Sequence, residues 1–86
     1  MEITLKIKNK EGLHARPAGL FAKKAAEFQS LIMVSVNGQS KSAKSIMGLM
    51  SLGLKMDQEF QLILDGPDAG AAQNAIVALI ESEFKT

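Results

Sequence analysis

Three segments of this 86-residue chain carry an unbroken apolar set on one face, and a fourth is almost wholly polar. This one-sidedness restricts the fold more than any other feature. Residues 2–8 alternate strictly, with Ile3, Leu5 and Ile7 on one face and Thr4, Lys6 and Lys8 on the other. A period of two is that of a half-buried strand. Residues 31–36 repeat the pattern with Ile32, Val34 and Val36 inward, and residues 59–65 with Phe60, Leu62 and Leu64. Gln39 to Ala43 is short and polar, as edge strands often are. The pattern predicts an antiparallel sheet with helices on one face and water on the other.

Turn and cap chemistry places the connections. Residues 9–14, Asn-Lys-Glu-Gly-Leu-His, form a loop. Pro17 is tolerated in a helix only in its first turn, so a helix begins near Ala15 or Arg16. It runs to about Phe28, with Ala18, Phe21, Ala22, Ala25 and Phe28 as its apolar stripe. Asn37-Gly38 is a two-residue hairpin signal. Ser45 caps a short helix of about residues 46–52, and Gly53 ends it. After a Gly66-Pro67 turn, Asp68 caps a last helix of about residues 69–84, whose stripe is Ala72, Ile76, Leu79, Ile80 and Phe84. The predicted order is β-α-β-β-α-β-α. No linker, repeat or low-complexity segment interrupts it, so residues 1–86 are expected to form one domain.

Composition narrows the chemistry. A chain this short holds one modest core rather than a deep interdomain cleft. Ten basic and nine acidic side chains leave a net charge of +1, which argues for neither nucleic acid nor an anionic membrane as partner. The outward strand positions Thr4, Lys6, Lys8 and Gln61 also lack the stacking aromatics of a nucleic-acid platform. There is no Cys and a single His, which excludes a disulfide scaffold, a thiolate nucleophile and a Cys/His zinc site. The N-terminus lacks the uninterrupted apolar run of a signal peptide, and no stretch approaches the ~18 apolar residues of a membrane span. A cytoplasmic protein without metal or cofactor is expected.

His14 is the only side chain suited to covalent or acid–base work near neutral pH. A histidine before a helix is most often idle, but three local features point the other way. Pro17 fixes a helix start within three residues. Helix starts present unpaired N–H groups and partial positive charge, which suit phosphate. Arg16 adds a guanidinium that fits phosphate oxygens. The same partial charge disfavours imidazolium and keeps the ring nucleophilic. No Walker-type loop or carboxylate cluster supplies a nucleotide–Mg²⁺ site. A phosphoryl group would therefore come from, and go to, other proteins.

The segment Gly12-Leu13-His14-Ala15-Arg16-Pro17-Ala18 resembles the active-site signature of the HPr family, the histidine-containing phosphocarriers of the bacterial sugar phosphotransferase system. Lys44-Ser45-Ile46-Met47-Gly48-Leu49-Met50-Ser51-Leu52-Gly53 is similar to that family's regulatory serine region. Spacing, length and element order agree, so the resemblance covers essentially the whole chain. It implies an α+β open-faced β-sandwich, with four antiparallel strands in the order 1-4-2-3 and three helices on one face. It implies that His14 takes phosphate on Nδ1 from enzyme I, charged from phosphoenolpyruvate, and passes it to enzyme IIA domains, with Arg16 steadying the phosphate and shifting during transfer. Ser45 would be the target of an ATP-dependent HPr kinase/phosphorylase, and the Ser45-phosphorylated form the corepressor of a catabolite-control transcription factor. A monomer is expected.

Two departures are small. Glu11 stands where the family often has a small polar residue, and its carboxylate would slightly repel incoming phosphate. Gly19, inside the first helix, should cost ~1 kcal/mol relative to Ala. A subset of the family lacks the histidine and keeps only regulation, which His14 sets apart from this chain. The docking surface is expected at Ala15, Arg16, Leu20, Lys23, Ile46, Met47 and Met50. Leu20 lies off the core stripe among Arg16, Lys23 and Lys24. Ile46, Met47 and Met50 share one face of a helix too short to bury them, and Met suits adaptable surfaces. Ser45 also has a purely structural reading as a cap. Two further functions compete: a mainly regulatory corepressor-type protein, and a carrier for a dedicated kinase pathway outside transport.

Overall fold

The computed structural model describes residues 1–85 of the chain. The elements are β1 (Glu2–Lys6), α1 (Ala15–Ala26), β2 (Leu31–Val36), β3 (Gln39–Ser42), α2 (Ile46–Ser51), β4 (Glu59–Asp65) and α3 (Ala69–Glu81). All strand pairs are antiparallel and the order is β1-β4-β2-β3. The fold is the expected open-faced sandwich. Ile32, Val34 and Val36 of β2 and Phe60, Leu62 and Leu64 of β4 are buried under the helices. Their alternate neighbours Met33, Ser35, Gln61 and Ile63 remain partly open on the other face.

The two central strands obey the period-of-two reading closely, and the edges depart from it. Ile3 and Leu5 are only half-buried, because β1 has one sheet neighbour and the helical layer covers it incompletely. The strand ends at Lys6, two residues before the expected limit. Ile7 still turns fully inward, donating to the Gln58 carbonyl at 3.0 Å and accepting from Asp57 N–H at 2.7 Å. Lys8 leaves the sheet and pairs with Glu81. At the other edge, Asn37 and Gly38 both have positive φ, 51° and 81°, as the hairpin dipeptide requires.

Helix ends explain the remaining differences. The apolar stripe of α1 was expected to reach Phe28, but the helix stops at Ala26. Its last turn tightens, with Glu27 N–H on Lys24 O at 3.1 Å and Phe28 N–H on Ala25 O at 3.2 Å. Similarly α3 ends at Glu81 and not at Phe84. Glu83 and Phe84 both take φ of 60°, and Phe84 N–H returns to Leu79 O at 3.0 Å. This reversal carries the Phe84 ring back into the core, 6.3 Å from Phe21.

Asp68 precedes α3 as expected, but its carboxylate does not cap the helix. It accepts from the N–H groups of Gln29 and Ser30, both at 2.9 Å, and from the Ser30 hydroxyl. Three converging donors outcompete a single cap bond, and hydrogen bonds to a charged acceptor are the strong ones. The result ties the entry of β2 to the entry of α3.

Candidate functional site

The loop before α1 is built to leave one side chain outside. Asn9 is buried, and its Nδ2 donates to Gly12 O at 2.8 Å and Glu11 Oε1 at 3.2 Å. Gly12 has φ of 68°, and a Cβ there would lie 2.5 Å from Leu54 O and 3.1 Å from Lys55 Cα. Only glycine permits both the dihedral and the approach. Leu13 N–H donates to that same Leu54 carbonyl at 2.9 Å, and its side chain enters the core at 3% exposure. His14 follows at once and is exposed.

His14 is the N-cap residue of α1, with extended φ and ψ of −81° and −170°. Its carbonyl accepts from Ala18 N–H at 2.8 Å, whereas its imidazole makes no capping bond and, among the described residues, has no hydrogen-bond partner. Pro17 brings no N–H, so the donors of the first turn left without a helical acceptor are those of Ala15 and Arg16. They stand beside the imidazole, where the helix dipole favours negative charge.

Arg16 is on the same turn, but its Nη1 donates to Phe84 O at 3.2 Å. The reversed chain after α3 thus supplies the guanidinium with a resting acceptor. Releasing one such bond costs ~0.5–1.5 kcal/mol, small enough for the guanidinium to turn toward an anion. Glu11 is held below the ordinary carboxylate range, first by its own backbone N–H and then by Asn9 Nδ2, with smaller help from the charges of Arg16 and Lys10. It is therefore an anion near neutral pH.

A depression of about 140 Å³ links the histidine to α2, lined by Leu13, His14, Met50, Gly53, Leu54 and Lys55. Met47 is 78% exposed, Ile46 46% and Met50 39%, while Leu49 on the same helix is fully buried. Ala15 and Lys23 are exposed, and Leu20 is half-buried: it packs against the core and also lines a surface hollow with Lys23 and Lys24. Its surroundings include Leu79 of α3, whose position the sequence of α1 does not reveal. Lys24 pairs with Glu27 at 3.4 Å, so one of the three cations around Leu20 is partly neutralised.

Ser45 caps α2 as expected. Its hydroxyl accepts from Gly48 N–H at 3.0 Å and is exposed. Leu54 and Lys55 also line the depression at His14, and sequence reasoning passed over them. The available signal was weak: Leu13 and Leu54 are apolar residues outside every periodic stripe, which is how two anchored loops read. Among the described residues no three His, Asp or Glu side chains cluster as a metal site, and no helix is long and apolar enough to cross a membrane.

A family model described as the HPr component phosphorylation site of the phosphotransferase system matches residues 1–82. An HPr-like protein Crh from Halalkalibacterium halodurans is 43% identical over 83 residues, spanning 96% of this chain and 99% of the relative. The crystal structure of an HPr from Thermoanaerobacter tengcongensis superposes with a TM-score of 0.94 at 49% identity, over 98% of this chain and 94% of that one. An HPr dimer from the same organism matches at a TM-score of 0.78 and 47% identity, covering 100% and 99% of the two chains.

Proposed function

This chain belongs to the HPr family of phosphotransferase-system phosphocarriers, and on that premise we propose that it shuttles phosphoryl groups on His14 between larger proteins. Enzyme I, charged from phosphoenolpyruvate, is the donor in this reading, and sugar-specific enzyme IIA domains are the acceptors. The observation that carries it is the exposed imidazole at the start of α1, which makes no capping bond and sits in the same turn as the N–H groups of Ala15 and Arg16, with the Arg16 guanidinium resting on Phe84 O.

The chemistry is a two-way displacement. The imidazole nitrogen, Nδ1 by family resemblance, forms a bond to phosphorus as the donor's bond to phosphorus breaks. The incoming oxygens gain charge-assisted bonds from the helix start and from Arg16, which leaves Phe84 O to reach them. Those contacts are modest, so the group leaves as readily as it arrives. The protein does not turn over alone and needs no cofactor, since the phosphoryl group arrives on its donor. Ala15, Lys23, Ile46, Met47 and Met50 give partners an apolar contact rimmed by cations, with Leu20 beneath it, a composition suited to fast, short-lived complexes. A monomer suffices for this cycle, and we place it in the cytoplasm.

Incubation with enzyme I and labelled phosphoenolpyruvate should give an acid-labile phosphoprotein. Labelling that survives His14→Ala would refute the assignment.

A second role is favoured by Ser45, which is exposed, precedes α2 and follows Lys44. We propose it as the target of an HPr kinase/phosphorylase, with the modified protein acting on a catabolite-control transcription factor. The added charge of about −2 falls beside the docking surface and would slow transfer to His14 without touching it. Sugar uptake in cells separates the two roles. A pure regulator loses control of uptake with Ser45→Ala and keeps transport with His14→Ala, and a carrier loses transport with His14→Ala.

A further inference from the structure

One edge of the sheet is chemically self-complementary. In the β1–β4 ladder the odd residues of β1 face β4. Met1 exchanges both backbone bonds with Leu64, at 2.7 and 2.8 Å, and Ile7 donates to Gln58. Alternation then turns the N–H and C=O groups of Glu2, Thr4 and Lys6 outward, where the sheet has no further strand among the described residues. Beside this edge, Leu5 of β1 and Val77 and Ile80 of α3 line a groove of about 350 Å³.

We propose that β1 pairs with β1 of a second copy, antiparallel about a two-fold axis through Thr4. This register brings every outward-facing residue against another. Thr4 meets Thr4, Glu2 meets the second copy's Lys6, and Lys6 meets its Glu2. Three such pairs exchange six backbone hydrogen bonds. On the helical face Ile3 lies opposite the second copy's Leu5, so both half-buried side chains gain cover.

Lysines on an edge strand usually guard it against pairing. Here Glu2 stands as far before Thr4 as Lys6 stands after it, so the two-fold converts that guard into a pair of opposite-charge contacts. Among the described residues neither Glu2 nor Lys6 is in a salt bridge, although Glu59 of β4 lies across from Lys6 in the sheet. The other edge, β3, reads Gln-Ser-Lys-Ser and has no acidic residue to offer a second copy. The association is small and therefore transient. No residue of this edge lines the depression at His14, so the pairing stands or falls independently of the phosphocarrier reading.

Sedimentation velocity of the full chain from ~10 μM to ~1 mM tests it. The wild type should dimerise with rising concentration, and less so in high salt. Glu2→Lys and Lys6→Glu should each weaken the dimer about tenfold by placing like charges opposite one another. An equimolar mixture of the two variants, or the double variant, should restore it. Thr4→Pro, whose lost N–H faces outward, should fold and stay monomeric. In the wild-type dimer, an intermolecular Hα–Hα contact between Ile3 and Leu5 should be seen by NMR. A monomer at every concentration overturns the proposal. So does a dimer of equal affinity in all variants, the signature of strand exchange or of another face.

Discussion

Replacing Gly12 by Ala tests how His14 is held in place. Two separable costs are expected. A residue with a Cβ at φ of 68° pays ~1–2 kcal/mol for the left-handed conformation. The Cβ would also stand 2.5 Å from Leu54 O, a backbone atom that cannot rotate aside. The loop must lift, which strains or breaks the 2.9 Å bond from Leu13 N–H to that carbonyl, worth ~1 kcal/mol. The total is ~2–3 kcal/mol, against ~4–13 kcal/mol for a domain of this size. Gly38→Ala is the control, because its φ is 81° but a Cβ there meets nothing within 4 Å. Urea unfolding of both variants isolates the contact: Gly12→Ala should lose at least ~1 kcal/mol more than Gly38→Ala. The rate of phosphorylation by enzyme I should fall in Gly12→Ala and hold in Gly38→Ala. Equal losses of stability in the two variants would refute the claim that close approach to residues 54 and 55 seats the histidine.

Other consequences are simpler to check. Ser45→Ala should cost ~1 kcal/mol in urea unfolding through loss of the cap on Gly48 N–H, whereas Ser45→Asp should retain most of it. Gly19→Ala should stabilise by ~0.5–1 kcal/mol, read as a rise of several degrees in Tm, because a Cβ at that helical position meets nothing within 4 Å. The Asp68 carboxyl is held below its ordinary 3.8, first by the Ser30 hydroxyl and then by the Gln29 N–H. A lowered folded-state pKa adds stability that is complete above 3.8 and disappears as pH falls through the folded value. Asp68→Asn should therefore flatten the acid limb of a stability–pH profile, and an unchanged limb would count against that cross-link.

What the sequence showed was local. Alternation identified β2 and β4 because each is covered on one face along its whole length, and Pro17 located the start of α1 because a missing N–H has few tolerated places. The strand order came from family resemblance and not from alternation, which does not say which strands are neighbours. Contacts between distant segments were invisible. Arg16 with Phe84, Leu13 with Leu54 and Asp68 with Ser30 join residues 38 to 68 positions apart, and no periodic pattern marks them. Leu54 and Lys55 were passed over for the same reason, since only the closure of the two loops brings that segment to the histidine. The partial burial of Leu20 was invisible for a related reason, since Leu79 of α3 lies outside its own helix.

The bond from Leu13 to Leu54 means that His14 is seated by a residue 40 positions later in the chain, and Arg16 is held by one later still. An unfolded or partly synthesised chain carries the same imidazole without this seating. On the proposed chemistry, phosphoryl labelling then counts completed molecules. During refolding it should follow closure of the whole tertiary structure and lag behind helix formation, so the modification can serve as a clock for the last step of assembly.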